Sequence, residues 1–234
     1  MDDELSSLEE NGVWDIVQTP REAHVLHTNI TFAEVADMFS VKLIGGLARK
    51  VPAKHGDVPN AYVKADKEAG LVIYIRLLKE MTISEDTKKK LGVASDDNLV
   101  LKLMKALYGL KQTGRLWSKL LQKILLALGS EHSLTDMSVY YRLRLGVPLV
   151  VGVYVDDLLV TTRTRQDAVG AFFGEMSDLA VKDLGPASKF FDMSVTYSDD
   201  EGYHLDQEAA IEDLLWEFGM ETGLAVRTPI CRVE

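Results

Sequence analysis

The chain has 234 residues, of which 47% are hydrophobic, and a formal net charge of -10 at pH 7. This length and composition can bury a sizeable core in one large globular domain, or in one domain with a small appendage. The negative charge argues against a chain that binds nucleic acid unaided, because phosphate contacts require local Lys and Arg. Such binding would depend on local basic patches or on metal ions.

The single cysteine, Cys231, excludes an intrachain disulfide and a cysteine-rich zinc site. The acidic start, MDDELSSLEENG, is unlike a secretory signal, and no run approaches the roughly 18 apolar residues of a membrane span. We therefore expect an intracellular chain, cytoplasmic or nuclear, that is neither secreted nor attached to a membrane.

Apolar residues at helical spacing predict a short helix over residues 2–10 and a longer one over 33–50. Two β-rich runs, 72–77 and 99–103, predict strands. Between these strands, Ser84 is a candidate N-cap for a short helix.

The strongest helical pattern runs from Lys111 to Gly129, where apolar residues recur every three or four positions. Two apolar runs follow, 149–155 and 158–162, and their composition predicts the arms of a hairpin. In this prediction, Asp156 and Asp157 form the tip.

The C-terminal third is predicted to contain a helix over 164–179 and two strands within 188–206. A last helix is expected from Gln207 to Phe218, and its apolar residues are expected to face inward: Ala210, Ile211, Leu214, Leu215 and Phe218. Without repeats or a flexible linker, the pattern favours one α+β domain with a small helical C-terminal part.

The adjacent acids Asp156 and Asp157 need an explanation, because two carboxylates side by side repel each other and are costly to bury. An ordinary Asp-containing turn is one explanation. However, favoured two-residue turns use Gly, and strain at a turn is found more often at functional sites. The other explanation is divalent-metal phosphoryl transfer with Asp57 as a third acid, although Asp57 alone is also typical of a loop.

Six segments carry a family resemblance: LEENGVWDIV (8–17), DVPNAYV (57–63), KALYGLKQTGRLW (105–117), YVDDLLVT (154–161), KDLGPASKFF (182–191) and LDQEAAIEDLLWEFGM (205–220). In this order they resemble the reverse transcriptase domain of copia-type LTR retrotransposon polyproteins. The resemblance implies a right-hand polymerase palm, an antiparallel sheet backed by helices. It also implies remnant fingers over about 1–50, a palm core over 51–200 and the start of a thumb over 201–234.

The implied activity is RNA-directed DNA synthesis by two-metal nucleotidyl transfer to a primer 3′-hydroxyl. By resemblance, Asp57 and Asp156 hold two Mg²⁺ or Mn²⁺ ions and Asp157 assists. The implied partners are an RNA or DNA template with its primer and a deoxynucleoside triphosphate.

Five further residues correspond to nucleotide-pocket positions of that family. Tyr62 matches the aromatic under the deoxyribose, Gly109 and Lys111 line the pocket, Tyr154 shapes the hairpin, and Lys182 is a candidate general acid for pyrophosphate. Four of the five have a structural alternative: a half-buried strand aromatic for Tyr62, a plain turn for Gly109, an ordinary strand residue for Tyr154 and a solvated lysine for Lys182.

The chain departs from the family where AHVLHTNI (23–30) runs directly into TFAEVAD (31–37), without the expected basic finger hairpin. Asp192 replaces a usual glycine. Because the sequence ends shortly after Thr228 and Pro229, we expect no ribonuclease H, integrase or protease. We expect an internal deletion, an intact metal site and weak or absent polymerisation. A catalytically inactive scaffold or interaction protein is the alternative. An unrelated phosphohydrolase would fit the acids but not YGLKQ and RLW.

Overall fold

The computed structural model of the protein describes residues 8–20, 25–26, 38–48, 52–68, 70–78, 81–108, 110, 112–163, 166–190, 193–198, 200–220 and 222. These residues form a mixed α/β protein with three sheets, in which neighbouring strands are antiparallel except for one parallel pair.

The strands are β1 (Trp14–Gln18), β2 (Val25–Leu26), β3 (Lys54–Asp57), β4 (Tyr74–Arg76), β5 (Leu99–Leu103), β6 (Glu131–His132), β7 (Val139–Arg144), β8 (Val147–Tyr154), β9 (Asp157–Thr162), β10 (Lys182–Pro186), β11 (Lys189–Phe190), β12 (Met193–Ser198) and β13 (Gly202–Asp206). The helices are α1 (Met38–Leu47), α2 (Ala61–Lys64), α3 (Glu85–Leu91), α4 (Thr113–Ala127), α5 (Gln166–Glu175) and α6 (Glu208–Glu217). In the described part of the chain, no helix has both the length and the apolar character needed to cross a bilayer.

A six-stranded sheet, in the order β10-β3-β9-β8-β7-β6, is the centre of the fold. Helices α4 and α5 cover one side, which we call the α4 face, where Trp117, Leu125 and Phe172 are buried against β8 and β9. Helix α1 and the small sheet β11-β12-β13 cover the other side, the α1 face, where Ile44 and Phe190 are buried. The alternating apolar residues of β8 therefore serve two cores.

A second sheet, in the order β1-β5-β4-β2, forms a separate apolar cluster. Its strand β5 covers the predicted residues 99–103, whereas β4 is shorter than the predicted 72–77. Between them, Ser84 caps α3 as predicted, and its hydroxyl accepts a hydrogen bond from the amide of Thr87.

The pattern from Lys111 to Gly129 is confirmed as helix α4, and Gly129 follows its end with a positive φ of 82°. Residues 8–10 are helical, and α1 and α5 occupy most of the other two predicted helices, whose first residues lie outside the described part. Strands β12 and β13 confirm the predicted pair, while β7 was not predicted.

The hairpin is present, but its predicted tip was wrong by one residue. Strand β8 ends at Tyr154 and β9 begins at Asp157, so the two turn residues are Val155 and Asp156. Asp157 belongs to the strand and not to the turn because it is paired on both sides, with Tyr154 of β8 and with Asp57 of β3.

The inward orientation predicted for the last helix was also wrong. None of the residues of α6 is buried. Of the predicted inward residues, Ile211, Leu214 and Phe218 are 55%, 53% and 69% exposed, and Ala210 and Leu215 are half-buried. The apolar pattern does indicate one apolar face, but the described residues of the protein do not cover it.

Candidate active site

Four of the predicted site residues lie in one row across four neighbouring strands. Lys182 of β10 is opposite Asp57 of β3, Asp57 is opposite Asp157 of β9, and Asp157 is opposite Tyr154 of β8. Directly opposed residues project to the same side of an antiparallel sheet, with Cα atoms about 4.5–5.5 Å apart. This cross-strand row lies on the α1 face, since Tyr154 packs against the apolar cluster there.

The turn beside the row is held in an unfavourable backbone conformation. Val155 has a φ of 57°, which is costly for a β-branched residue. Two hydrogen bonds fix it: the buried indole Nε1 of Trp117 donates to the Val155 carbonyl at 2.6 Å, and the Val58 amide donates to the Asp156 carbonyl at 3.0 Å. Helix α4 and strand β3 thus position Asp156.

Asp156 is half-buried, and its surroundings disfavour its charged form. Burial raises the pKa of the Asp156 carboxyl, and the negative charges of Asp157 and Asp57 raise it further, against opposing effects of a backbone hydrogen bond and His55. The three acids therefore interact electrostatically even though Asp156 lies in the turn and the other two in strands.

Tyr62 lies within electrostatic reach of this group. Burial raises the pKa of the Tyr62 phenol, and the charge of Asp156 adds to the increase. Its ring stands edge-on to Tyr108, with 4.6 Å between the ring centroids. The residue belongs to the short helix α2, so the alternative of a strand aromatic was wrong.

The donor types fit a divalent cation, since carboxylate oxygens are ligands that Mg²⁺ and Mn²⁺ accept. A cation would also offset the burial and repulsion that raise the pKa of Asp156. Nevertheless, no set of three or more His, Cys, Asp or Glu side chains in the described ranges is arranged to hold a metal ion. Asp157 is instead hydrogen-bonded to His55 Nε2 at 2.7 Å.

Two predicted pocket residues, Gly109 and Lys111, lie outside the described residues. Of the described ones, Asp57, Asp157, Tyr154 and Lys182 share the row, whereas Asp156 and Tyr62 lie beside it.

His55 and the contact made by Trp117 were missed in the sequence. Strand alternation could have indicated His55, because it precedes Asp57 by two residues and so projects to the same face. No local pattern marks the Trp117 indole as the donor to a turn 38 residues away.

Comparisons with known proteins agree with the motifs. A family model described as reverse transcriptase (RNA-dependent DNA polymerase) matches residues 15–232. The chain is 30% identical over 206 residues to the retrovirus-related Pol polyprotein from transposon RE1 of Arabidopsis thaliana, covering 86% of this chain and 13% of the relative.

A second relative is the retrovirus-related Pol polyprotein from transposon TNT 1-94 of Nicotiana tabacum, which is 24% identical over 269 residues, 98% of this chain and 19% of the relative. The chain thus spans less than a fifth of the length of these two relatives. The second match extends over more residues than the 234 of this chain, so that relative contains residues in this stretch that the chain lacks.

Proposed function

Because the chain belongs to the reverse transcriptase (RNA-dependent DNA polymerase) family, we propose that it is the polymerase domain of a copia-type retrotransposon. In this proposal, the six-stranded sheet is the palm, within a core of residues 51–200. Residues 1–50 contribute remnant fingers, and residues 201–234 begin a thumb.

One observation carries the proposal. The register that opposes Asp57 to Asp157 places two acids in the same row, next to the turn that holds Asp156. Carboxylates that converge at one sheet end, here from two strands and the adjoining turn, can hold the two metal ions of phosphoryl transfer.

In this site, Asp57 and Asp156 would hold two Mg²⁺ or Mn²⁺ ions, and Asp157 would assist. When bound, the ions lower the pKa of the primer 3′-hydroxyl and neutralise charge on the triphosphate. Trp117 and Val58 keep Asp156 in place through their hydrogen bonds to the turn.

The other residues act on the nucleotide and on the product. Tyr62 stacks beneath the deoxyribose, and Tyr154 shapes the site near the primer end. Lys182, opposite Asp57 in the row, is exposed and able to give a proton to the leaving pyrophosphate. Gly109 and Lys111 line the nucleotide pocket in this proposal by family resemblance alone.

We propose further that polymerisation is weak or absent because a basic finger segment has been deleted between residues 23–30 and 31–37. The longer match to the TNT 1-94 polyprotein and the net charge of -10 support a loss of this kind. Without oriented cations around the triphosphate, the chain lacks much of the positioning and charge stabilisation that phosphoryl transfer needs.

The test combines Mn²⁺ binding with primer extension on an RNA template. The double variant Asp156→Asn, Asp157→Asn should lose Mn²⁺ binding, whereas Asp86→Asn, which removes one exposed carboxylate from α3, should retain it. Equal Mn²⁺ binding by all three proteins would refute the acid site. Extension as fast as that of a domain with complete fingers would refute the loss of activity.

A catalytically inactive scaffold is a second candidate function, and the exposed apolar face of α6 favours it. Exposed apolar patches of this kind often mark contacts with other proteins. Asp156→Asn distinguishes the two candidates, because a scaffold tolerates the loss of this carboxylate and a polymerase does not.

A further inference from the structure

His55 is a basic residue in direct contact with the row. It lies on β3 two residues before Asp57, and its Nε2 is 2.7 Å from Oδ1 of Asp157. An ionised carboxylate only accepts hydrogen bonds, so Nε2 carries the hydrogen and donates it. This bond forms with neutral or protonated imidazole.

Packing fixes the direction in which His55 points. Its imidazole stands edge-on to the buried ring of Phe190, at 85° and 6.0 Å between centroids. The ring of Tyr154, which ends the row, contacts the same Phe190 edge-on at 6.3 Å. Phe190 thus contacts both His55, which is hydrogen-bonded to Asp157, and Tyr154, which is opposite Asp157 in the row, so the donor of His55 is held in one place.

The hydrogen bond separates the three carboxylates into two groups. Asp157 faces the His55 donor, whereas Asp57 and Asp156 have no such bond to this imidazole in the described contacts.

We propose that His55 is a positioning residue that keeps the Asp157 carboxylate out of direct contact with the cation. Asp57 and Asp156 are then the ligands, and Asp157 assists only through its charge. This proposal rests on the proposed function, because it assumes that the acids bind a divalent cation. It assigns His55 a contribution that acts through Asp157 and not through contact with the ion.

The test is a titration of the full chain with Mn²⁺, in which free Mn²⁺ is measured by electron paramagnetic resonance. His55→Leu removes the donor and lets Asp157 turn toward the cation, so Mn²⁺ should bind about three- to tenfold more tightly, the effect of one nearby charge in a largely aqueous site. His55→Gln keeps an N–H donor at the position of Nε2 and should bind Mn²⁺ as the natural chain does.

The same substitutions in an Asp157→Asn background show whether His55 acts through Asp157. We expect His55→Leu to have no effect on Mn²⁺ affinity there, and Asp157→Asn alone to change it less than about threefold. The proposal is overturned if His55→Leu weakens Mn²⁺ binding, or leaves it unchanged, in the natural background. It is also overturned if His55→Leu tightens Mn²⁺ binding by the same factor in the Asp157→Asn background as in the natural one. If His55→Leu does not fold, an Asp157→Asn variant with strongly weakened binding would also overturn it.

Asp156→Asn separates this proposal from the one on which it rests. Mn²⁺ affinity should fall at least tenfold in Asp156→Asn, because one of the two presented ligands is lost. If Asp156→Asn binds Mn²⁺ normally, the acid site itself is wrong. If it loses binding while His55→Leu behaves as the natural chain, only the positioning by His55 is wrong.

Discussion

Gly56 is expected to be the least replaceable glycine next to the acids. It lies between His55 and Asp57 on β3 and faces α5. A Cβ added there would lie 2.8 Å from Cε1 and 2.9 Å from Cζ of Phe173, closer than a Cβ approaches other heavy atoms. The Phe173 ring is only 6% exposed, so it cannot swing into solvent to make room.

Gly56→Ala should therefore lower the free energy of unfolding by about 1–3 kcal/mol, the usual cost of overpacking a core. The lower backbone entropy of Ala offsets roughly 0.5–1 kcal/mol of this cost. Urea unfolding followed by circular dichroism measures the change. A shifted midpoint with an unchanged slope would show that stability, and not compactness of the unfolded chain, has changed.

Phe173→Leu provides the matched suppressor, because it removes the two atoms closest to the new methyl group and leaves only the longer 3.1 Å contact with Cγ1 of Val181. The double variant should be more stable than the sum of the two single changes predicts, by about 1 kcal/mol or more. Gly170→Ala is the control: no atom lies within 4 Å of its added Cβ in helix α5, so it should stabilise the chain by about 0.5–1 kcal/mol. A neutral Gly56→Ala, or strict additivity with Phe173→Leu, would refute the packing argument.

Three further changes test other contacts. Trp117→Phe removes the donor to the Val155 carbonyl and part of a buried ring, so unfolding should become about 2–4 kcal/mol easier in urea. Glu175→Gln should cost about 1–3 kcal/mol at neutral pH, because the carboxylate accepts hydrogen bonds from buried Arg142 at 2.6 and 3.3 Å. The Arg142 hydrogen bond holds the pKa of Glu175 below its ordinary 4.5. This stabilisation is therefore complete above pH 4.5 and is lost as the pH falls through the lowered pKa. The urea midpoints of the natural chain and of Glu175→Gln should converge at acid pH. Ile211→Lys on α6 should change unfolding by less than about 0.5 kcal/mol, and a larger loss would mean that this face is covered.

Elements whose pattern is complete within one segment were predictable. Helix α4 has a full apolar stripe and strand β5 an apolar run interrupted by Lys102, and both match the sequence prediction closely. The orientation of α6 was not predictable, because an apolar stripe shows which face of a helix is apolar and not whether other residues cover that face. The start of β9 was misplaced because Asp157 pairs with Asp57, which is 100 residues away in the chain.

The candidate site could be predicted only in part from the sequence. Family resemblance selected the three acids, and the structure adds that Asp57 and Asp157 are direct cross-strand neighbours. His55 was missed because a lone histidine in a strand carries no signal until the neighbouring strand supplies its acceptor.

The three tryptophans of the chain provide separate optical probes of its parts. Trp14 is buried in the cluster of the four-stranded sheet, Trp117 is buried beneath the turn that holds Asp156, and Trp216 is exposed on α6. An aqueous quencher such as iodide should therefore extinguish the red-shifted emission of Trp216 and spare the other two. The remaining blue-shifted emission would then report on the turn through Trp117, and Trp14→Phe would isolate that signal for following events at the acids without an added label.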